Sequence, residues 1–340
     1  MAHRMTYTVA VIGLGTIADA HLAAIAAHPR LRLVAVADVD QETLRRRGEE
    51  TGVRGFRDYH DLLQAAPDVA LIALPHHLHC TVAVAALAAG CHVLVEKPLA
   101  VSVAECRTVL HAARRASRTL AVSDTAAYHP GALLTGRRFR AGTLGRFLSG
   151  LHHNVRFYFH AGRPAWFLDP AAAGGGMFAN VGLHRLAQTR ACLPGLAPCA
   201  VSAAVTRLAE YPVEACTSAL VRYREGGAMH YEELGYLPRP AWWPLTNHYL
   251  FEHGMVTFDA ARWRIATCTG TDREEPLQAP GNPYTTVYRD LLRRLDAEPA
   301  LGPDAWESAA DVAVVQAAYA SAAAGRETDL TAPPWRMDHF

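Results

Sequence analysis

Two glycines, one aspartate and one lysine carry most of the chemical content of the first 125 positions. Val9-Ala10-Val11-Ile12 is a continuous apolar run that stops at Gly13-Leu14-Gly15-Thr16-Ile17-Ala18, after which apolar residues recur at helical spacing through Leu22, Ile25 and Ala26. Strand, glycine turn and helix together form a receptacle for a dinucleotide pyrophosphate. Gly13 permits the turn, Gly15 lets backbone approach the phosphates, and the first amides of the helix point at their charge. A methyl at Ala18, where a third glycine often stands, is tolerated because that position governs helix-to-strand packing. A second apolar run, Leu31 to Ala37, ends at Asp38, the spacing at which such folds place a carboxylate on the ribose 2′-hydroxyl. That carboxylate repels a 2′-phosphate and so favours NAD. NADP stays open because Arg45, Arg46 and Arg47 follow, although their position inside the next helix reads as a solvated face.

Lys97 stands at the mouth of the apolar run His92 to Val95, between Glu96 and Pro98. In a dinucleotide fold this holds a lysine beside the expected position of nicotinamide. His76, His77 and His79 put three imidazoles within four positions, but on a turn into a helix adjacent side chains diverge, and no carboxylate or cysteine lies beside them. No metal site is expected.

The elements that must position these residues alternate. Apolar runs at Val53 to Phe56, Val69 to Leu74 and Leu120 to Ser123 are separated by helical patterns at Tyr59 to Ala65, Leu78 to Ala89 and Ser102 to Ser117. Helices between strands require crossover connections and a doubly wound parallel sheet. Gly13, Asp38, Pro75 and Glu96-Lys97-Pro98 then fall at the C-terminal strand ends, where ligands bind.

Composition sets the outer bounds. A chain of 340 residues with 51% hydrophobic and 19% charged side chains is expected to fold as two packed domains. Its 33 Lys plus Arg and 32 Asp plus Glu leave a formal charge of +1, which gathers neither nucleic acid nor an anionic membrane surface. No stretch approaches the roughly 18 to 20 apolar residues of a spanning helix, and the start runs into a strand-like segment without an h-region, so a soluble cytoplasmic protein is expected. The seven cysteines form no CxxC pair and read as small buried hydrophobes.

The chain resembles the glucose-fructose oxidoreductase and inositol dehydrogenase (Gfo/Idh/MocA) family. The resemblance rests on Gly13-Leu14-Gly15-Thr16-Ile17-Ala18, on Leu74-Pro75-His76-His77-Leu78-His79, on Glu96-Lys97-Pro98-Leu99-Ala100 and on Gly142-Thr143-Leu144-Gly145. Downstream it continues with Trp166 ahead of Gly174-Gly175-Gly176-Met177-Phe178-Ala179-Asn180-Val181-Gly182-Leu183-His184. It implies an α/β chain: an N-terminal Rossmann NAD(P)-binding domain over 1–125 and a C-terminal α+β domain over 126–340. The second domain would have an open, mostly antiparallel sheet that takes substrate and forms homodimers or homotetramers. Runs at Phe147 to Phe159, Cys199 to Ala209, Ala215 to Tyr223, Gly227 to Tyr236 and Asn247 to Asp259 read as strands of that sheet, and Pro303 to Ala324 as a long helix.

The resemblance further implies cofactor contacts from Gly13, Gly15, Thr16, Ile17, Asp38, Leu74, Pro75, His76, His79, Glu96 and Lys97. Lys97 and His184 match the family's catalytic positions. The family aspartate four residues before the histidine is Asn180 here, and Ala187 replaces the acid that commonly follows three residues after it. Oxidising a carbinol needs a group that takes the hydroxyl proton and a positive charge that steadies the alkoxide. His184 and Lys97 suit these roles. Asn180 orients a hydroxyl through its amide but cannot accept a proton.

The implied substrate is a polyhydroxylated ring, with Trp166, Asn180, His184, Lys97 and His153 as candidate contacts. Trp242 and Trp243, among three prolines, read as a rigid loop or a subunit contact, and Tyr284 and Tyr288 as packing residues on one helix face. The leading expectation is an NAD(P)-dependent oxidoreductase acting on a secondary alcohol of a sugar or cyclitol. Two alternatives remain: an NAD-dependent glycosidase, lyase or epimerase that oxidises its ring transiently, and a non-catalytic dinucleotide sensor.

Overall fold

The computed structural model describes residues 6–236, 246–278, 281–297 and 303–337. Trp242 and Trp243 lie outside the described residues. The first part of the chain alternates strictly, through β1 (Tyr7–Ile12), α1 (Ala18–Ala26), β2 (Leu31–Ala37), α2 (Gln41–Thr51), β3 (Arg54–Phe56), α3 (Tyr59–Leu63), β4 (Val69–Ile72), α4 (His79–Ala88), β5 (His92–Glu96), α5 (Val103–Ala116) and β6 (Leu120–Ser123). Among the described residues six strands pair in the order β3-β2-β1-β4-β5-β6, every pairing parallel. β4 and β6 are buried along their whole length, and β1 and β5 nearly so, because helices cover both faces. The continuous Val, Leu, Ile and Ala runs are the sequence image of that burial.

The chain goes on through α6 (Pro130–Arg140), β7 (Phe147–Val155), α7 (Pro170–Ala173), α8 (Leu183–Cys192), β8 (Pro198–Arg207), β9 (Glu214–Tyr223), β10 (Ala228–Leu234), β11 (Thr246–Phe251), β12 (Gly254–Phe258), β13 (Arg262–Thr267) and β14 (Arg273–Pro276). α9 (Tyr284–Asp296), α10 (Pro303–Ala324) and β15 (Thr328–Asp329) complete it. The second sheet runs β14-β13-β12-β11-β7-β10-β9-β8-β15, antiparallel except where β7 meets β10. The run Asn247 to Asp259, read as one strand, is a hairpin turning at Glu252-His253. Asn247 pins it by donating through Nδ2 to Phe258 O (2.9 Å) and accepting from Phe258 N (3.2 Å).

The chain divides into two compact units, Met1–Asp124 with Gly281–Ala309 and Thr125–Pro280 with Ala310–Phe340. The described residues of the segment 281–309, assigned above to the second domain, therefore pack with the first. Its helix α9 buries Tyr284, Val287, Tyr288, Leu291, Leu292 and Leu295, one stripe at helical spacing, and packs on α1. Arg30 grips Asp296 with both guanidinium nitrogens, at 2.7 and 2.6 Å. An amphipathic stripe says that a face is buried, not against what. Among the cysteines, Cys91, Cys106 and Cys192 are buried but Cys268 is exposed, against the expectation for all seven. Among the described residues no helix is long and apolar enough to cross a membrane.

Candidate functional site

The two glycines after β1 serve different purposes. Gly13 has φ +96°, and a Cβ there would lie 2.3 Å from Ala73 O, so the fold itself demands glycine. At Gly15, which is exposed, no described atom lies within 4 Å of the Cβ position. Nothing internal requires that glycine, and the open space is a cradle that a side chain would fill. Thr16 and Ile17 beside it are exposed, and α1 begins without a side-chain cap, whereas Asp40, Asp58 and Ser102 cap α2, α3 and α5. Uncapped amides at an open glycine turn fit an anion.

Asp38 ends β2 half-buried and accepts from Leu14 N (2.8 Å) and Asp40 N (2.9 Å), so the loop fixes its carboxylate and leaves lone pairs for a hydroxyl donor. Arg45 and Arg46 pair with Glu49 and Glu50 one helical turn on, and Arg47 pairs with Asp19 and Glu50. All three arginines are engaged by carboxylates.

Lys97 lies between two residues that buried histidines hold. His21, 0% exposed on α1, places Nε2 2.8 Å from Glu96 Oε1. His79, also 0% exposed, spans Pro98 O (2.7 Å, from Nδ1) and Leu74 O (2.8 Å, from Nε2). Burial pushes the His79 pKa down more strongly than the two carbonyls raise it. The His79 side chain thus does not reach the surface of the cradle, contrary to its expected cofactor contact, but ties the turn after β4 to the turn after β5. His76 is 4% exposed with its ring 5.7 Å from that of His79, and His77 is exposed. Among the described residues no group of three or more metal-ligating side chains is gathered.

In the second unit the glycine triplet is explained by packing. A Cβ on Gly176 would sit 2.2 Å from Glu214 O, and one on Gly175 2.4 Å from the Tyr319 hydroxyl. The Glu214 carboxylate accepts from Gly176 N, from Phe178 N (2.8 Å) and from the Tyr319 hydroxyl (2.7 Å), which locks the start of a π-helical turn, Phe178–Gly182. Such turns recur at functional sites. Asn180 lies inside it, 8% exposed, donating through Nδ2 to the Tyr158 hydroxyl (3.3 Å). The Arg163 guanidinium lies over the rings of Tyr158 (3.8 Å) and Phe167 (4.9 Å), and Phe167 stacks on Trp166 at 3.8 Å. Trp166 and Asn180 are thereby linked through residues that the sequence reading passed over. The aromatic run Phe157-Tyr158-Phe159 was the signal.

His184 follows in the first turn of α8. Between 175 and 189, all described, it is the one residue that is not buried. The adjacent Arg185 and Ala187 point into the protein, at 8% and 0% exposure. His153 goes the other way. Side chains alternate along β7, so His152 and Asn154 are buried beneath α8, His152 bonding Thr189 Oγ1 (3.1 Å) and the Tyr249 hydroxyl (2.8 Å). His153 lies on the opposite sheet face, paired with Glu232 at 2.7 Å. It is not brought to the Asn180 and His184 side, which corrects its expected substrate contact.

Glu233 was also missed. It is fully buried, receives Asn154 Nδ2 at 2.6 Å, and burial raises its pKa to about 7 although the Arg185 charge and the Asn154 hydrogen bond oppose this. In β10 it reads in sequence as one more polar strand residue.

Comparison with known proteins agrees with these features. Residues 7–124 match the model of an oxidoreductase family with an NAD-binding Rossmann fold, and residues 135–233 match the GFO/IDH/MocA C-terminal domain. D-glucoside 3-dehydrogenase of Escherichia coli (strain K12) is 30% identical over 184 residues, 52% of this chain and 51% of that protein. The chain thus spans about half the length of the curated relatives it matches. In fold it is similar to an oxidoreductase domain protein from Kribbella flavida, with TM-score 0.87 and 20% identity over 96% of this chain and 99% of the other. It is also similar to levoglucosan dehydrogenase solved with NADH and levoglucosan, with TM-score 0.86 and 19% identity over 96% and 100%. With its NAD-binding Rossmann unit and the matching second domain, the chain belongs to the Gfo/Idh/MocA oxidoreductase family.

Proposed function

We propose that the chain is an NAD-dependent dehydrogenase that moves a hydride between nicotinamide and a secondary alcohol or ketone of a sugar, sugar derivative or cyclitol. The observation that carries this reading is Lys97, set at the same C-terminal strand ends of the parallel sheet as the nucleotide cradle with buried histidines holding the residues on both sides of it. The dinucleotide accepts or supplies the hydride when bound. Gly15 and the first amides of α1 take the pyrophosphate, and Asp38 takes the ribose hydroxyls. The Asp38 and Asp40 carboxylates, with Arg45 to Arg47 already paired, favour NAD over NADP. Lys97 presents positive charge to the alkoxide, His184 takes the hydroxyl proton, and Asn180 with Trp166 orients the ring. The names of the relatives support a polyhydroxylated substrate, since one is a glucoside dehydrogenase and another an inositol 2-dehydrogenase.

Self-association into a homodimer or homotetramer is part of the proposal. It is supported by Leu148, Leu250 and Met255, which are 40%, 42% and 38% exposed on one face of the second sheet. Light scattering on the purified chain tests it. A cytoplasmic setting fits the exposed free thiol of Cys268.

The decisive experiment follows absorbance at 340 nm with NAD or NADP across cyclitols, aldoses, sugar acids and glycosides. Steady NADH formation with one ring class is expected. No NADH from any of them, in protein that demonstrably binds NADH, would refute net oxidation, and product analysis on the glycosides would then test transient redox chemistry.

A further inference from the structure

His21 stands in the buried stripe of α1, one turn after Ala18 and one turn before Ile25. An imidazole at 0% exposure needs partners for both nitrogens, and this one has them: Nε2 is 2.8 Å from Glu96 Oε1 and Nδ1 is 3.1 Å from the Tyr288 hydroxyl. Because a carboxylate only accepts, Nε2 carries a proton and donates to Glu96, while Nδ1 shares its hydrogen bond with the Tyr288 hydroxyl. The Tyr284 ring lies 4.3 Å from the imidazole, fixing its plane. Two helices far apart in sequence, α1 and α9, thus converge on the residue that precedes Lys97.

We propose that His21 is a positioning residue for Lys97: by donating to Glu96 it keeps a buried carboxylate ionised and oriented beside the lysine, and that carboxylate keeps the ammonium charged. The proposal builds on the reading of Lys97 as the positive group beside nicotinamide. Burial alone would drive Glu96 toward its neutral form, but the His21 hydrogen bond, the electrostatic attraction of His21 and then the Lys97 charge more than offset this and hold its pKa below the ordinary carboxylate value. The titratable and polar groups facing the pair are His21 from α1, Tyr284 and Tyr288 from α9, His79 from α4, and Ser123 with Asp124 at the end of β6. Tyr284 and Tyr288, whose hydroxyl pKa values burial and Glu96 push up, stay protonated. Glu96 is then the carboxylate in direct hydrogen-bond contact with His21 and next in sequence to Lys97.

The test reads Lys97 directly and needs no substrate. The purified chain is labelled with trace acetic anhydride from pH 7 to 10, and the acetylation rate of Lys97 is measured by mass spectrometry relative to a surface-amine standard. Removing the carboxylate charge favours the free amine, so below the lysine's titration range the labelling rate is expected to rise about tenfold. His21→Leu and Glu96→Gln are expected to show that rise. His21→Gln, whose amide still donates to Glu96, stays within about twofold of the parent. Circular dichroism and NADH fluorescence titration establish that each variant is folded. If His21→Leu fails to fold, Tyr288→Phe, which removes only the partner of Nδ1, is expected to raise the rate two- to fivefold. Parent-like labelling of Glu96→Gln, of folded His21→Leu or of Tyr288→Phe would overturn the proposal, as would His21→Gln labelling as fast as His21→Leu. A chain that is silent in the dehydrogenase assay yet follows this pattern would leave the charge relay standing and sink only the catalytic reading.

Discussion

Substituting alanine for Gly13 and for Gly15, two positions apart, separates what the fold requires from what a ligand requires. At Gly13 a methyl would meet Ala73 O at 2.3 Å on a backbone with φ +96°. The left-handed conformation costs a non-glycine residue about 1–2 kcal/mol, and relieving the overlap costs a further ~1–3 kcal/mol. Gly13→Ala is therefore expected to lower unfolding free energy by about 2–5 kcal/mol, a large part of the stability of an ordinary domain. At Gly15 the same methyl enters open space, so Gly15→Ala should change stability by no more than about 0.5 kcal/mol. It should instead weaken NADH binding by about tenfold, or ~1.4 kcal/mol, because the methyl occupies the line of approach of the pyrophosphate. Urea denaturation and NADH fluorescence titration on both variants make the comparison. Parent-like NADH affinity in Gly15→Ala, or equal destabilisation by the two substitutions, would refute the assignment of the cradle.

Three further perturbations have defined outcomes. Asp38→Ser should weaken NADH by roughly tenfold while leaving NADPH unchanged or tighter, read by parallel fluorescence titrations; equal losses would exclude the ribose contact. His184→Ala removes a half-buried side chain and should leave the urea midpoint near that of the parent while lowering turnover by about 10²–10⁴, measured on whichever substrate the absorbance screen identifies. Glu233 has a folded pKa of about 7 against an ordinary value of 4.5, so the folded state favours its protonated form. Its contribution to stability is complete below the unfolded pKa and is lost as pH rises from 4.5 to about 7, a span worth on the order of 3 kcal/mol. Glu233→Gln should flatten that slope and stabilise the protein at pH 8, and an unchanged slope between pH 5 and pH 8 in urea denaturation would contradict it.

The parallel sheet was legible because burial on both faces leaves little choice of residue. Val9 to Ile12, Val69 to Ile72 and Val93 to Val95 are continuous apolar runs, and only a strand covered on both sides needs them. The cradle was legible because Gly13, Gly15 and Asp38 lie within one strand-helix-strand unit, where sequence spacing and spatial distance go together. The alternating sheet was less so. His152 and His153 are neighbours of the same type, and which of them is buried beneath α8 depends on strand register, which a single sequence does not reveal.

By itself the sequence determined the order of strands and helices over the first 125 positions and the glycine turn with an aspartate after the next strand, and it singled out Lys97, Asn180 and His184 as candidates. These rest on local spacing, and local spacing survives folding unchanged. Only the tertiary structure decided that α9 returns to the first unit, that His21 reaches Glu96 from 75 positions away while Tyr288, 267 positions from His21, holds its other nitrogen, and that Glu214 locks the turn carrying Asn180. Each of these is a contact between buried polar groups that must find partners somewhere. The need for a partner is written in the residue type, but the partner is chosen by packing across the fold.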